Sequence, residues 1–166
     1  MSLLFEAVTH IGNKRQSNED RYFVRKQDDG SLLMAVADGV GGMPGGDKAA
    51  GLAIQAVAAA GIGEKLTPER LFQLVVNAHD SILHQAAEHS RMEGMGTTLT
   101  VAVVREDAVF WGHVGDSRLY ILHAGTLRQV TTDHRFLTSM IEHGDITEEE
   151  AKNHPLRNML DQCLGC

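Results

Sequence analysis

VADGVGG, residues 36–42, is the stretch that decides how this chain reads. An apolar run, Leu32 to Ala37, ends on a carboxylate, Asp38, and then opens into a loop with glycines at 39, 41 and 42. Burying a charge is costly unless the group is paired or holds a metal. A partner for Asp38 is therefore expected elsewhere in the chain. The segments RYFVRK (21–26) and SLLMAVAD (31–38) have strand composition, and KQDDGS (26–31) between them has the chemistry of a hairpin turn. An antiparallel hairpin would set the start of the first strand beside the end of the second, and so Asp20 beside Asp38. Two carboxylates forced together either share a proton or recruit a cation. Oxygen ligands suit Mg²⁺ or Mn²⁺, and glycines leave room for a backbone carbonyl and waters to approach the ion. The plainer reading is a carboxylate at a turn, with glycines serving loop geometry, and spacing alone leaves both open.

Outward from this hairpin, LLFEAVTH (3–10) is also β-like. DKAAGLAIQAVAAA (47–60) reads as an Ala-rich helix with Ala50, Ile54, Val57 and Ala58 at helical spacing. A second helix is predicted from Thr67, an N-cap followed by Pro68 and Glu69, to about Ser90. Its apolar face is Leu71, Leu74, Val75, Ala78, Ile82 and Leu83. His79, His84 and His89 lie on it at intervals of five, which points them in different directions, and they read as solvated side chains. The segments GTTLTVAVVRED (96–107), AVFWGHVGD (108–116) and SRLYILHAGTLRQVTTD (117–133) form an antiparallel meander with turns at 105–107 and 124–125. Helical pattern returns in HRFLTSMIEHG (134–144) and ITEEEAKN (146–153). Segregated runs of strands and helices indicate an α+β fold.

The 166 residues suit a single domain, 1–166, with a real core. Apolar residues make up 43% and charged residues 22%, the composition of a globular protein. A formal net charge of −7 argues against nucleic acid or an anionic membrane as partner. No apolar run reaches transmembrane length, and MSLLFEAVTH lacks the basic start and cleavage site of a signal peptide. Cys163 and Cys166 read as reduced thiols of a cytoplasmic protein.

Taken in order, RQSNED (15–20), DGVGG (38–42), GTT (96–98), GDSR (115–118) and TTDH (131–134) resemble the metal-dependent protein phosphatases, the PPM or type 2C family, in its bacterial style. GDITEEEAKNHPLRNMLDQCLG (144–165) is similar to that family's flap region, so the resemblance covers nearly the whole chain. It implies an antiparallel β-sandwich flanked by helices, in four layers, here without the last strands. It implies hydrolysis of phosphoserine and phosphothreonine in proteins by water activated at two Mn²⁺ or Mg²⁺ ions. Asp20, Asp38 and the backbone oxygen of Gly39 would hold those ions, and Asp116 matches a position for a third, looser one. Arg15 matches the phosphate-binding arginine, and Glu19 lies just outside the centre. Two such ions about 3.5–4 Å apart lower the pKa of a water and neutralise phosphate charge, and the planar fork of Arg15 suits two phosphate oxygens.

Two departures stand out. Val40 occupies the place where some members carry a histidine that acts as general acid. The family's C-terminal SDG and DN motifs do not occur before Cys166, and neither Asp145 nor Asp161 fits them. Catalysis by the chain as given is therefore expected to be impaired, and a non-catalytic module binding metal or phosphoprotein is the alternative. Unpaired strand edges would favour self-association. Two rivals fail on spacing. Gly41–Gly46 has Asp47 where a phosphate-binding loop needs lysine. Ser117 in GDSRL lacks the downstream D-x-x-H that a GDSL-type hydrolase uses for its base.

Overall fold

The computed structural model describes residues 3–42, 44–60 and 67–166. Among these, a four-stranded antiparallel sheet runs in the order β1 (Asp20–Lys26), β2 (Leu32–Asp38), β3 (Leu99–Val104), β4 (Val109–Val114). A separate hairpin pairs β5 (Tyr120–His123) with β6 (Thr126–Gln129). Helices α1 (Gly46–Ala59) and α2 (Pro68–Glu88) pack together over one face of the large sheet, and α3 (Phe136–Glu142) and α4 (Glu148–Lys152) follow the hairpin. The α+β reading with antiparallel sheets and outer helices holds.

The period-2 alternation sorts the sheet into two faces. Leu33, Ala35 and Ala37 of β2 and Leu99, Val101 and Val103 of β3 are buried in one core with Ala49, Ala50, Ala53 and Val57 of α1 and Leu71, Leu74, Ala78 and Ile82 of α2. Each large side chain among them contributes about 1.5–3 kcal/mol by leaving water. Small residues on α1 bring that helix close to the sheet. Of the predicted helix faces, Leu83 departs, being largely exposed. The opposite sheet face carries Asp20, Tyr22, Val36 and Asp38, and Tyr22 and Val36 remain in part exposed.

Local chemistry fixes the connections. In the β1–β2 turn, Ser31 N and Oγ donate to Asp29 Oδ1 at 3.0 and 2.6 Å, and Gly30 takes φ 82°. These bonds hold the Asp29 carboxyl below its usual range. At the start of α2, Thr67 Oγ1 accepts from Arg70 N at 3.3 Å, with Pro68 at the first helical position.

Three expectations need correction. Residues 3–10 form no strand. Leu4 and Val8 are each 91% exposed, and an isolated β-like segment without a neighbouring ladder has nowhere to place its backbone hydrogen bonds. Cys163 and Cys166 are joined by a disulfide rather than left as thiols. Gly165, at φ 85°, turns the chain tightly enough to bring the two together. His79 is not a solvated side chain: its Nδ1 accepts from Gly165 N at 3.1 Å, tying α2 to that loop. His84 and His89 are exposed as expected.

Candidate metal centre

Asp20 and Asp38 lie directly opposite each other across β1 and β2. Gly39 N donates to Glu19 O at 3.2 Å, so the next pair along, Asp20 with Asp38, is a non-hydrogen-bonded one, in which facing side chains stand closest. The backbone of Asp38 is spoken for on its other side. Its N–H donates to Thr98 Oγ1 at 3.0 Å, and its carbonyl accepts from Thr98 N and Thr97 Oγ1, each at 2.9 Å. Val40 N donates to Gly96 O at 2.9 Å, and Gly39 forms a bridge with Thr97. The GTT segment therefore acts as a clamp on the carboxylate loop.

Electrostatics mark the pair. Burial first, and then the facing Asp20 carboxylate, push the Asp38 carboxyl up to about 6, and Arg15 only partly opposes this. No hydrogen-bond donor satisfies either carboxylate among the described contacts other than the two acids' own contact. Such a pair is a site that prefers a proton or a cation. Among the described residues no group of three or more His, Cys, Asp or Glu side chains is placed to hold an ion, so carboxylate, backbone oxygen and water would make up the ligand set. The chemistry of these donors fits a hard divalent cation.

Gly39 is where the loop comes closest to α1: a Cβ there would run into the backbone of Gly46. Only glycine fits this close approach of the loop to α1. A cleft of about 470 Å³ opens beside this point, lined by Arg15, Asp38, Gly39, Asp116, Asn158 and Leu160. Arg15, about half exposed, stands 3.7 Å from Glu19 Oε2. A second cleft, about 300 Å³, lies on the Asp20 side and includes Thr9, Tyr22 and Ser117.

Asp116 lines the larger cleft but is engaged by Arg135, whose Nε and Nη2 each lie 2.9 Å from its Oδ2. Arg118 in turn grips Asp133 through two nitrogens, at 2.8 and 2.7 Å. Sequence reasoning missed Asn158 and Arg135. Asn158 sits within NHPLRNML of the flap-like segment, which was the available signal. Arg135 follows TTDH directly, yet nothing local ties it to a residue 19 positions earlier.

The rival sites gain nothing. Ser117 Oγ bonds Thr98 Oγ1 at 2.7 Å instead of a histidine. The nearby His113 is committed to Thr100 Oγ1 and Thr132 O, and burial with His134 beside it lowers its pKa. The phosphate-loop reading of residues 41–46 includes Met43, which lies outside the described residues. No helix among the described residues is long and apolar enough to cross a membrane.

Comparison with known proteins identifies the family. The Protein phosphatase 2C family profile matches residues 8–160. The chain is 36% identical over 166 residues to a serine/threonine phosphatase, stp, of Listeria welshimeri serovar 6b, covering 96% of this chain and 66% of that protein. It superposes on the serine/threonine phosphatase Stp1 of Staphylococcus aureus with a TM-score of 0.86 at 29% identity, covering 95% of this chain and 64% of that one. The catalytic domain of the phosphatase PstP, solved with two manganese ions, gives a TM-score of 0.77 at 31% identity over 94% of this chain and 64% of its own. The chain thus spans just under two thirds of the length of the relatives it matches, and on the extent of the family match it belongs to the protein phosphatase 2C family.

Proposed function

We propose that this chain serves Mn²⁺- or Mg²⁺-dependent hydrolysis of phosphoserine and phosphothreonine in proteins, with Asp20, Asp38 and the Gly39 carbonyl as its share of the metal ligands. The observation that carries this reading is the Asp20–Asp38 pair, two facing carboxylates with Asp38 pushed up to about 6. Divalent ions bound there would supply an activated water and neutralise phosphate charge. The rest of the work falls to the chain itself. Arg15 lines the wall of the adjoining cleft and would take two phosphoryl oxygens in its fork. Glu19 keeps that guanidinium near the cleft. Thr97 and Thr98 hold the Asp38 backbone so that its carboxylate meets Asp20 without reorganisation. Val40 offers no proton, so protonation of the leaving serine or threonine oxygen would fall to water or to another residue.

One observation favours a second reading, a phosphoprotein- or metal-binding module without turnover: only two carboxylates converge here among the described residues. In a two-metal site each carboxylate offsets cation charge and fixes geometry, and Mg²⁺ tolerates poor geometry badly. Hydrolysis of a phosphothreonine peptide in a Mn²⁺ series, by the chain and by its Asp38→Asn variant, separates the two. Turnover lost in the variant supports the phosphatase; metal-dependent peptide binding without turnover supports the module.

A further inference from the structure

Family resemblance gives Asp116 to a third divalent ion, but its surroundings fit a different cation. The Arg135 guanidinium reaches Asp116 Oδ2 through both Nε and Nη2 at 2.9 Å. The arginine is itself held in place. Its Nε lies 3.6 Å from Asp133 Oδ2, and Asp133 is fixed from the far side by Arg118 (2.8 and 2.7 Å) and by Gln129 Nε2 (3.2 Å). The backbones are also tied: His134 N donates to Gly115 O at 2.8 Å and Gly115 N donates to His134 Nδ1 at 3.2 Å. Each bond joins residues next in sequence to Asp116 and Arg135. Gly115 cannot shift easily, because it is wedged against Thr98, where a Cβ would come within 2.5 Å of the side chain. Arg135 further forms a bridge with Leu160, and Phe136 N donates to Met159 O. Asp116, Asp133, Arg118 and Arg135 together make a charge-balanced row, two acids against two bases.

We propose that the Arg135 guanidinium occupies, at Asp116, the position of the third divalent ion, so that this chain carries a built-in cation there and binds metal only at Asp20 and Asp38. A divalent ion arriving at Asp116 would have to displace a charge-assisted contact and would sit against a fixed positive group. The inference deepens the metal-centre reading but depends on it only for the ion that Arg135 replaces.

The test counts ions rather than turnover. Mn²⁺ bound at equilibrium dialysis, with protein and metal assayed separately, is compared among the unmutated chain, Asp116→Asn, Arg135→Gln and the double variant. The unmutated chain and Asp116→Asn should bind equal amounts. Arg135→Gln should gain one weakly held equivalent, and the double variant should lose it. Ions at Asp20 and Asp38 cancel in both differences, so failure of the phosphatase reading leaves this comparison intact. An additional Asp116-dependent ion in the unmutated chain overturns the proposal, as does a folded Arg135→Gln that gains none. A readout needing no variant is the Arg135 Nε–H NMR resonance during a Mg²⁺ titration. It should keep its hydrogen-bonded position throughout, and its movement to that of a free guanidinium overturns the proposal.

Discussion

Replacing Asp38 by Asn should make the metal-free protein more stable at neutral pH, although it removes a charged side chain from the centre of the site. The native state holds the Asp38 carboxyl at about 6 against an ordinary 3.8, mainly through burial and secondarily through Asp20. At about 1.4 kcal/mol per pH unit this is about 3 kcal/mol, and screening by water around a half-buried group reduces it to about 1–2 kcal/mol. The sign follows from proton binding. Between pH 3.8 and about 6 the native chain holds a proton at Asp38 that the unfolded chain has released, so stability falls as pH rises through that window and is level above it. The asparagine amide cannot ionise and is nearly isosteric with the carboxyl it replaces. Urea unfolding in the presence of chelator should therefore show equal stability near the bottom of the window and a gain of about 1–2 kcal/mol at neutral pH. For a chain of this size each kcal/mol raises Tm by about 2–4 °C. Added Mn²⁺ should stabilise the unmutated chain and leave the variant unmoved. A variant less stable at neutral pH without metal, or one that keeps the falling limb, refutes the assignment of Asp38 as the strained partner of Asp20.

Other expectations bear on neighbouring residues. Arg15→Ala should raise KM for a phosphopeptide while Mn²⁺ affinity and Tm change little, because Arg15 is about half exposed and stands 3.7 Å from Glu19, and such loose surface pairs contribute about 0–1 kcal/mol. A fall in Tm with KM retained would make Arg15 structural only. Thr98→Val leaves the Asp38 N–H and Ser117 Oγ without their partner in a buried setting, at a cost of about 1–3 kcal/mol in urea, and should weaken Mn²⁺ binding through the loosened Asp38 backbone. Asp133 is held below the usual carboxylate range, chiefly by Arg118, so its contribution to stability is present at neutral pH and lost as pH falls below the ordinary carboxylate value. Asp133→Asn should be less stable than the unmutated chain at neutral pH and converge with it in acid, and parallel curves would contradict the ion-pair account.

Much of the fold was legible because its signals are local. The Asp29–Gly30–Ser31 turn, the Thr67–Pro68 helix start and the alternation along Leu32–Asp38 each act within a few residues. The Asp20–Asp38 meeting was legible for the same reason, since one short hairpin fixes its register. What failed needed distant partners. The segment 3–10 has strand composition, but composition does not supply a ladder. The spacing of Cys163 and Cys166 does not reveal the positive-φ turn at Gly165. Arg135 meets Asp116 and Asn158 lines the cleft only because the loop after β6 and the flap-like segment come back to the residues around Asp116.

The placement of the centre on the sheet has a further consequence for how it can be disturbed. Asp38 ends β2, an inner strand, and its backbone depends on Thr97 and Thr98 just before β3. Thr97 depends in turn on Leu164, with which it exchanges N–H···O bonds of 3.1 and 2.9 Å. Leu164 is buried in the helix-side core, and the adjoining Gly165 is held by His79 of α2. The disulfide closes the same loop, and Gly96 leaves room for it: a Cβ there would lie 2.6 Å from Cys166 Sγ. The carboxylate pair is therefore positioned from behind, by a run of contacts from α2 through residues 163–166 to the GTT segment, while Asp38 opens on its other side onto the cleft lined by Arg15 and Asp116. Rigid support on one side and an open cleft on the other is the arrangement two repelling acids require, because without the first they would swing apart and without the second no cation could reach them.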